Sequence, residues 1–305
     1  MAAFILRRIA GAIWVLVGVS IVVFIIVHLT GDPAAVMMPP ESTPAEIEAF
    51  RHEEGFDRPL IVQFGTFALG ALHGDLGESL RHDEPALPLA LERLPATVEL
   101  ALAAFVLIVV VAIPAGVVSA ARPRGFISAA VRVFALIGQS APTYWIGLML
   151  ILVFGVRLGW LPVSGIGDFS HLVLPAVTLG FFSMAKVMRL TRAALLDVLA
   201  SDYLRTARAK GLAPLHVLVG HALRNAWIPI VTQLGIELGT LLSGAIITET
   251  VFSWPGIGRL AVQAVYDRDV PVVEAVVLLA ATIFTFVNVL VDLLYASLDP
   301  RVRYE

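Results

Sequence analysis

The chain has 305 residues, of which 58% are hydrophobic and 15% are charged, and its formal net charge is −3. Because an ordinary soluble domain carries about 25% charged residues, this composition argues against a soluble globular protein and indicates a membrane protein with several spans. The lack of cysteine excludes disulfides, thiolate metal sites and cysteine nucleophiles.

Six segments are apolar enough to cross a bilayer, which requires about 20 apolar residues. Pro142 predicts a kink in the third segment, and the fourth reaches full length only if Lys186 and Arg189 extend to the membrane interface. The fifth is uncharged except for Glu237. An all-α integral membrane protein with six transmembrane helices is therefore expected. The predicted spans are residues 9–27, 100–121, 133–156, 172–185 extended to 190, 226–248, and 275–291 continuing to about 298.

The first span follows Arg7 and Arg8 and therefore looks like a secretory signal peptide. Its 19 apolar residues exceed the roughly 7–15 of a signal-peptide core, and the residues after it make a poor cleavage site. We expect it to be retained as the first helix.

The distribution of arginine predicts the orientation of the spans. Four arginine-bearing segments fall on one side of the membrane. They are the N-terminus, residues 122–132, residues 189–225 and the C-terminal segment with Arg301 and Arg303. By the positive-inside rule this side is cytoplasmic, so both termini are predicted to be cytoplasmic.

Residues 30–96 fall on the opposite, external side and hold twelve acidic residues against four arginines, a net charge of −8. Thr43 and Glu46 have the spacing of a capping box, with Pro44 at the first helical position, which predicts a helix start. A second, mostly apolar helix over residues 59–72 is expected to lie on the membrane surface or to pack against the spans. The segment is either a small lid on the helical bundle or a docking platform for an external partner.

Residues 189–225 form a basic connection between the fourth and fifth spans. They contain six basic residues against two acidic ones, a net charge of +4, and are longer than a simple connection requires. The composition alone is compatible with a basic loop that only fixes the membrane topology.

A series of short motifs runs in order along nearly the whole chain. They are GDP at 31–33, GDLGESL at 74–80, ERLPAT at 92–97, LGWLPVSG at 158–165, YLRTARAKGL at 203–212, HALRN at 221–225, ETVFSWPGIG at 249–258 and LDPR at 298–301. Together they resemble the permease subunits of bacterial ABC importers, specifically the dipeptide/oligopeptide/nickel group. The resemblance implies the type I ABC importer permease fold in a bacterial inner membrane, with residues 1–305 forming a single transmembrane permease domain.

The connecting segment departs from the wider pattern of the importer family. That pattern begins with Glu-Ala-Ala, whereas this chain has Arg205-Thr206-Ala207, and Arg224 replaces the final proline. The peptide-permease group shares these departures, so they narrow the subfamily and leave the expected role of the segment unchanged.

Residues 202–211 are predicted to form a short helix, which Ser201 or Asp202 begins and Gly211 ends. Ala207 and Gly211 lie on one face, where small side chains would allow another protein to approach closely. The resemblance implies that this helix couples the permease to an ATP-hydrolysing subunit. The implied coupling residues are Tyr203, Arg205, Thr206, Ala207, Arg208, Lys210 and Gly211.

No catalytic residue, metal site or cofactor is predicted in the chain itself. A P-loop requires a lysine directly after a glycine, but both Lys186 and Lys210 follow alanine, and the seven histidines lack the spacing of metal ligands. The resemblance therefore implies that ATP and magnesium bind to partner chains. The implied partners are two cytoplasmic P-loop ATPases, a second homologous permease, an external solute-binding protein and membrane lipid, with no nucleic acid.

Glu237 lies in the middle of the fifth span, where a carboxylate costs at least about 2.5–3.5 kcal/mol. Gln233, Glu237 and Thr240 share one helical face, which either lines the translocation path or contacts the second permease. Weaker candidates for the path are Gln139, Ser140 and Asn288, whose polar groups also suit simple helix packing.

The motif at 249–258 is expected to form a rigid turn, with Phe252 and Trp254 in an aromatic belt at the outer interface. It either anchors the chain there or contacts a docked binding protein. The residues proposed for this external turn are Glu249, Phe252, Trp254, Pro255 and Gly256.

The sequence thus predicts one half of a heterodimeric, ATP-driven importer of di- or oligopeptides. The same machine could instead carry nickel chelates, glutathione or another solute. Two other classes remain open from the residues: a proton-coupled secondary transporter that uses Glu237, and a membrane receptor or scaffold that transports nothing.

Overall fold

The computed structural model describes residues 2–29, 31–39 and 41–298. Side chains are described from residue 5 to residue 293, except at residues 30 and 40. Arg301, Arg303 and most of the LDPR motif lie outside the described residues. The regular structure is helical, apart from an isolated antiparallel bridge between Glu78 and Pro85. The helices are α1 Ala2–Leu29, α2 Pro33–Met37, α3 Pro44–Glu53, α4 Leu60–His73, α5 Ala86–Ala121, α6 Phe126–Ser140, α7 Thr143–Arg157, α8 Phe169–Leu199, α9 Asp202–Ala209, α10 Pro214–Val251, α11 Ile257–Asp267 and α12 Val270–Leu298.

By length and composition, five of the described helices can cross a membrane, namely α1, α5, α8, α10 and α12. The sixth predicted span is divided into α6 and α7, which are bent by 115° relative to each other. Pro142 has no N–H group and forces Ala141 into an extended conformation, with ψ of 132°. The predicted kink is therefore a complete break in the helix.

Three helices extend well beyond their predicted spans. Helix α5 has 36 residues, helix α8 has 31 and helix α10 has 38, so at 1.5 Å per residue they are about 54, 46 and 57 Å long. All three exceed the roughly 30 Å of hydrocarbon. The difference arises because a helix can continue beyond the apolar segment, where its polar side chains meet water.

Contacts divide the chain into two compact units, Met1–Thr97 with Pro255–Val289 and Val98–Trp254 with Leu290–Glu305. The first unit has its own buried core. This core is built from Leu76 of the GDLGESL motif, the start of α5, and α11 and α12. Its members include Leu76, Leu89, Leu260, Val272 and Val276.

The predicted helices of residues 30–96 are present in the first unit. Thr43 and Glu46 form the expected capping box at the start of α3, and α4 matches the predicted apolar helix. One side of α4 packs on α1. The centroid of the Phe24 ring lies 5.4 Å from the ring centroid of Phe64 and 6.0 Å from that of Phe67. The opposite side exposes apolar side chains such as Ile61.

A buried hydrogen bond ties the GDLGESL motif to the start of α12. The hydroxyl of Ser79 donates to Oδ2 of Asp269 over 2.5 Å, and both side chains are buried. Gly77 in the same motif has φ of +82° and lies close to Pro271. This contact fixes one part of residues 30–96 at the predicted external end of α12.

The second unit is arranged around α8, which packs against the second half of α5 and against α6, α7 and α10. Small residues allow these helices to approach closely. A Cβ atom on Gly138 would lie 2.5 Å from the Cβ of Ala185, and one on Gly116 would lie 2.7 Å from the Cβ of Thr191. Close packing of this kind is typical of helices in membranes, where small residues allow van der Waals contact between backbones.

Candidate coupling and translocation sites

The predicted coupling loop, residues 189–225, contains the ends of two long helices with the short helix α9 between them. Residues 189–199 continue α8, and α10 begins at Pro214. Helix α9 confirms the short helix predicted for this region. Ser201 is its N-cap by backbone position, although its hydroxyl donates to the carbonyl of Val198 over 2.5 Å rather than capping α9. Gly211 follows the helix with φ of +77°, as expected where a helix ends.

The inward side of α9 carries Leu204 and Ala207, both of which are buried. This side contacts residues 217–223 at the start of α10. Ala207 therefore does not share an outward face with the exposed Gly211, and that part of the sequence prediction was wrong. The helix is amphipathic, and its small apolar residue packs within the chain.

The outward side of α9 is polar and basic. Arg205 pairs with Asp202 over 3.0 Å, and Arg208 donates to the carbonyl of Leu199 over 3.4 Å. Lys210 is exposed and has no ion-pair partner within the described part of the chain. The remaining predicted coupling residues, Tyr203 and Thr206, are exposed on the same helix.

Two of the motifs meet at α9. The side-chain amide of Asn225, from the HALRN motif, donates to the hydroxyl of Tyr203 over 2.5 Å. Thr206 donates to the backbone carbonyl of Asp202 over 3.3 Å. The first of these contacts joins α9 to α10, whereas the second lies within α9.

A cluster of four polar side chains joins α8 to α10 within the membrane-spanning region. Glu237 is fully buried, with 0% of its side chain exposed, and pairs with the ammonium group of Lys186 over 2.9 Å. The hydroxyl of Ser183 donates to its Oε2 atom over 2.5 Å, and the amide of Gln233 donates to its Oε1 atom over 2.5 Å. We call these four residues the polar cluster.

The polar cluster corrects the prediction for Lys186, which does not extend to the membrane interface but binds Glu237. Lys186 and Ser183 were missed as site residues. The signal was present in the sequence, because a lysine inside an apolar span requires a partner and the neighbouring fifth span contains a single carboxylate, Glu237. Only the fold, however, shows that the two residues face each other.

The other candidates for the translocation path do not join the polar cluster by any hydrogen bond in the described ranges. Thr240 is exposed and donates to the carbonyl of Ile236 over 3.0 Å. Gln139 is half-buried, and Ser140 is exposed at the break before α7. Asn288 donates to the carbonyl of Phe284 over 2.9 Å.

The predicted aromatic belt at 249–258 is wrong. Trp254 and Phe252 are each only 1% exposed, and Glu249 and Gly256 are also buried, whereas Pro255 is half-buried. Ser253 has φ of +52°, and the carbonyl of Phe252 accepts a hydrogen bond from the N–H of Gly165 over 2.9 Å. The turn thus buries its aromatic side chains within the protein, and its contact with an external partner stays a prediction.

Comparison with protein families identifies the family of this chain. A family model described as "Binding-protein-dependent transport system inner membrane component" matches residues 112–304. A second, described as "Binding-prot-dependent transport system membrane comp, N-term", matches residues 1–101. The chain belongs to this family. It is a multi-pass membrane protein and a permease subunit of an ABC importer, as the sequence motifs predicted.

Relatives of the permease match over their full length. They include the probable peptide ABC transporter permease protein y4tP of Sinorhizobium fredii, 41% identical over 313 residues. Others are the dipeptide transport system permease protein DppB of Alkalihalophilus pseudofirmus, 39% identical over 333 residues, and the glutathione transport system permease protein GsiC of Escherichia coli O6:H1, 41% identical over 306 residues. In each case the alignment covers 100% of both chains.

Two solved structures share the fold of the permease. The inward-facing MetNI methionine ABC transporter aligns with a TM-score of 0.55 and 21% identity, covering 70% of this chain and 96% of the other. An amino acid ABC transporter with histidines aligns with a TM-score of 0.51 and 19% identity, covering 70% and 94%. The predicted ABC permease fold is therefore confirmed.

Proposed function

We propose that the permease imports di- or oligopeptides and forms half of the translocation pathway together with a second, homologous permease. The full-length identity of about 40% to permeases named for peptide and dipeptide transport carries this proposal. A third relative is named for glutathione transport, so glutathione is the second candidate cargo. Both cargoes are short, zwitterionic molecules with amide bonds. None of the three relatives named above is named for a proton-coupled transporter or for transport of a nickel chelate.

Two cytoplasmic ATPase subunits, which bind ATP and magnesium, drive the transport in this proposal, and an external binding protein delivers the solute. Helix α9 is the contact with an ATPase subunit. Its position between the ends of α8 and α10 supports this role, because movement of α9 reaches two membrane-spanning helices directly. Its exposed arginines and Lys210 supply donors for carboxylates of a partner. The permease itself performs no hydrolysis.

The proposed translocation path includes Gln233, Glu237 and Thr240, with Gln139, Ser140 and Asn288 as weaker candidates. Glu237 is held by three neighbours and is not exposed. Lys186, however, has 38% of its side chain exposed. The polar cluster therefore has one side that this chain does not cover, and a solute that displaces Lys186 would gain access to Glu237.

The structure provides a matched pair of variants that test the coupling role of α9. A Cβ atom on Gly211 would meet no heavy atom within 4 Å, so the side chain of Gly211→Trp projects away from the protein. Gly159 has the same properties, with φ of +62° and open space, but lies in the predicted external connection after α7. Because both positions have positive φ, Gly159→Trp carries a comparable backbone strain.

The assay is solute-stimulated ATPase activity of the complex that co-purifies with the tagged permease in mild detergent. Gly211→Trp should lower this activity at least about tenfold by blocking the docking surface, whereas Gly159→Trp should retain it. Equal activity of the two variants would contradict the placement of the coupling helix. A permease that purifies without ATPase subunits would contradict the proposed assembly. Uptake of dipeptide and of glutathione into proteoliposomes then decides between the two cargoes.

A further inference from the structure

The first unit contains a cavity of about 200 Å³ between the end of α1, the helices of residues 33–67, the GDLGESL motif and the start of α12. We call it the outer cavity, because these elements lie on the predicted external side. Its volume is below the 300–1,000 Å³ of pockets for drug-sized ligands. A ligand that fills it would be about the size of one amino-acid residue.

The walls of the outer cavity are held by hydrogen bonds. His28 contacts the side-chain oxygen of Gln63 over 2.9 Å and the carbonyl of Phe24 over 2.8 Å. The amide of Gln63 donates to the carbonyls of Phe56 and Arg58, over 3.0 and 2.7 Å. Both amide hydrogens of Gln63 are thereby used, and these contacts hold His28 and Gln63 in the wall of the cavity.

Three charged side chains line the cavity without a partner. Glu274, near the start of α12, is partly buried in the wall, while Arg58 and Glu54 are exposed at its rim. Among residues 2–29, 31–39 and 41–298, none of these three side chains forms a hydrogen bond or an ion pair. A partly buried carboxylate without a partner is unfavourable, and a ligand with hydrogen-bond donors would relieve that cost.

The chemistry of the wall indicates what such a ligand carries. Glu274 shares the cavity with the rings of Phe24, Phe56 and Phe67. A carboxylate together with aromatic faces suits a primary ammonium group, which gains both an ion pair and cation–π contacts. The guanidinium of Arg58 at the rim suits a carboxylate or a phosphate, which it can bind through two parallel hydrogen bonds.

We propose that the outer cavity binds a small zwitterion, with its ammonium group at Glu274 and its anionic group at Arg58. Two sources share this chemistry: a free amino acid and the headgroup of phosphatidylethanolamine. The site goes beyond the proposed transport function, because binding here requires neither an ATPase subunit nor a particular cargo.

The test uses the full-length permease in nanodiscs of phosphatidylglycerol, which has no ammonium group. Ligand-observed NMR titrations compare L-leucine with N-acetyl-L-leucine, which lacks the ammonium, and with L-leucinamide, which lacks the carboxylate. Leucine should bind at least about tenfold more tightly than either analogue, since each lost contact is a charge-assisted hydrogen bond.

Two variants assign the two ends of the ligand. Glu274→Gln should remove the preference for leucine over N-acetylleucine and keep the preference over leucinamide, whereas Arg58→Gln should do the reverse. Glu53→Gln and Arg81→Gln, which change the same residue types outside the cavity lining, should keep both preferences. If the preference for the ammonium survives in Glu274→Gln, the proposed site is wrong. Unfolding temperatures of the variants show that each remains folded.

Nanodiscs of phosphatidylethanolamine distinguish the two sources. If the amino acid is the ligand, leucine binds equally well in both lipids. If the lipid headgroup is the ligand, leucine binding weakens in phosphatidylethanolamine, and native mass spectrometry shows retained phosphatidylethanolamine that Glu274→Gln loses. If leucine does not bind in either lipid and no phosphatidylethanolamine is retained, the proposal is overturned.

Discussion

Replacing Lys186 with methionine should destabilise the permease more than replacing Glu237 with glutamine. The reason is the unequal burial of the two partners, because Glu237 is 0% exposed whereas Lys186 has 38% of its side chain exposed. Lys186→Met leaves a carboxylate that cannot reach water. Glu237→Gln leaves an ammonium group that can extend towards the membrane interface.

The contacts of the polar cluster set the magnitudes. Removal of one partner of a buried ion pair costs about 3–5 kcal/mol. Ser183 and Gln233 still donate to Glu237 in Lys186→Met, so the expected loss lies at the lower end, about 3 kcal/mol. In Glu237→Gln the new amide oxygen still accepts from Ser183, and the expected loss is about 1 kcal/mol. The double variant should resemble Glu237→Gln, which gives a coupling energy of about 2–3 kcal/mol.

The measurement is a double-mutant cycle on the free energy of unfolding, obtained by denaturant titration of the permease in mixed micelles with its five tryptophans as the fluorescent probe. Lys210→Met is the matched control, because it removes the only other lysine, which is exposed and lies outside the membrane spans. This control should change the free energy by less than about 0.5 kcal/mol. Strictly additive losses, or equal losses for the two single variants, would show that Lys186 and Glu237 do not pair in the folded protein.

Three further predictions follow from burial, close packing and charge. Trp254→Ala should lower the free energy of unfolding by about 3–5 kcal/mol, whereas the exposed Trp160→Ala should change it little; equal effects would place Trp254 at the surface. Gly138→Leu should cost about 1–3 kcal/mol in the same titration, because a Cβ atom there already overlaps an alanine of α8. Hydrogen bonds from the backbone N–H and hydroxyl of Thr43 lower the pKa of Glu46 below 4.5. The capping box should therefore stabilise α3 above pH 4.5. This stabilisation should be lost as the pH falls through the lowered pKa of Glu46. NMR titration of Glu46 checks this, and Thr43→Val should return its pKa towards 4.5.

Several elements could be read from local sequence alone. The capping box at Thr43, the apolar helix α4 and the end of α9 before Gly211 each depend on residues within a few positions of one another, and the structure has all three. The family motifs were equally local, and the full-length relatives confirmed the permease family.

The ends of the long helices could not be read in the same way. A search for apolar residues stops at charged ones such as Arg189, whereas backbone hydrogen bonding continues to Leu199. The break at Pro142 was foreseen as a kink, but its angle of 115° depends on how α6 and α7 pack against α8.

The sequence by itself thus determined the six apolar segments, the family and the short helix α9, because hydropathy, capping and glycine at positive φ act over a few neighbouring residues. Only the tertiary structure decided that Lys186 binds Glu237, that Ala207 faces inward and that Trp254 is buried. Each of these outcomes depends on a partner far away in the chain. In a protein whose apolar residues can face either lipid or other helices, composition alone does not distinguish the two surroundings.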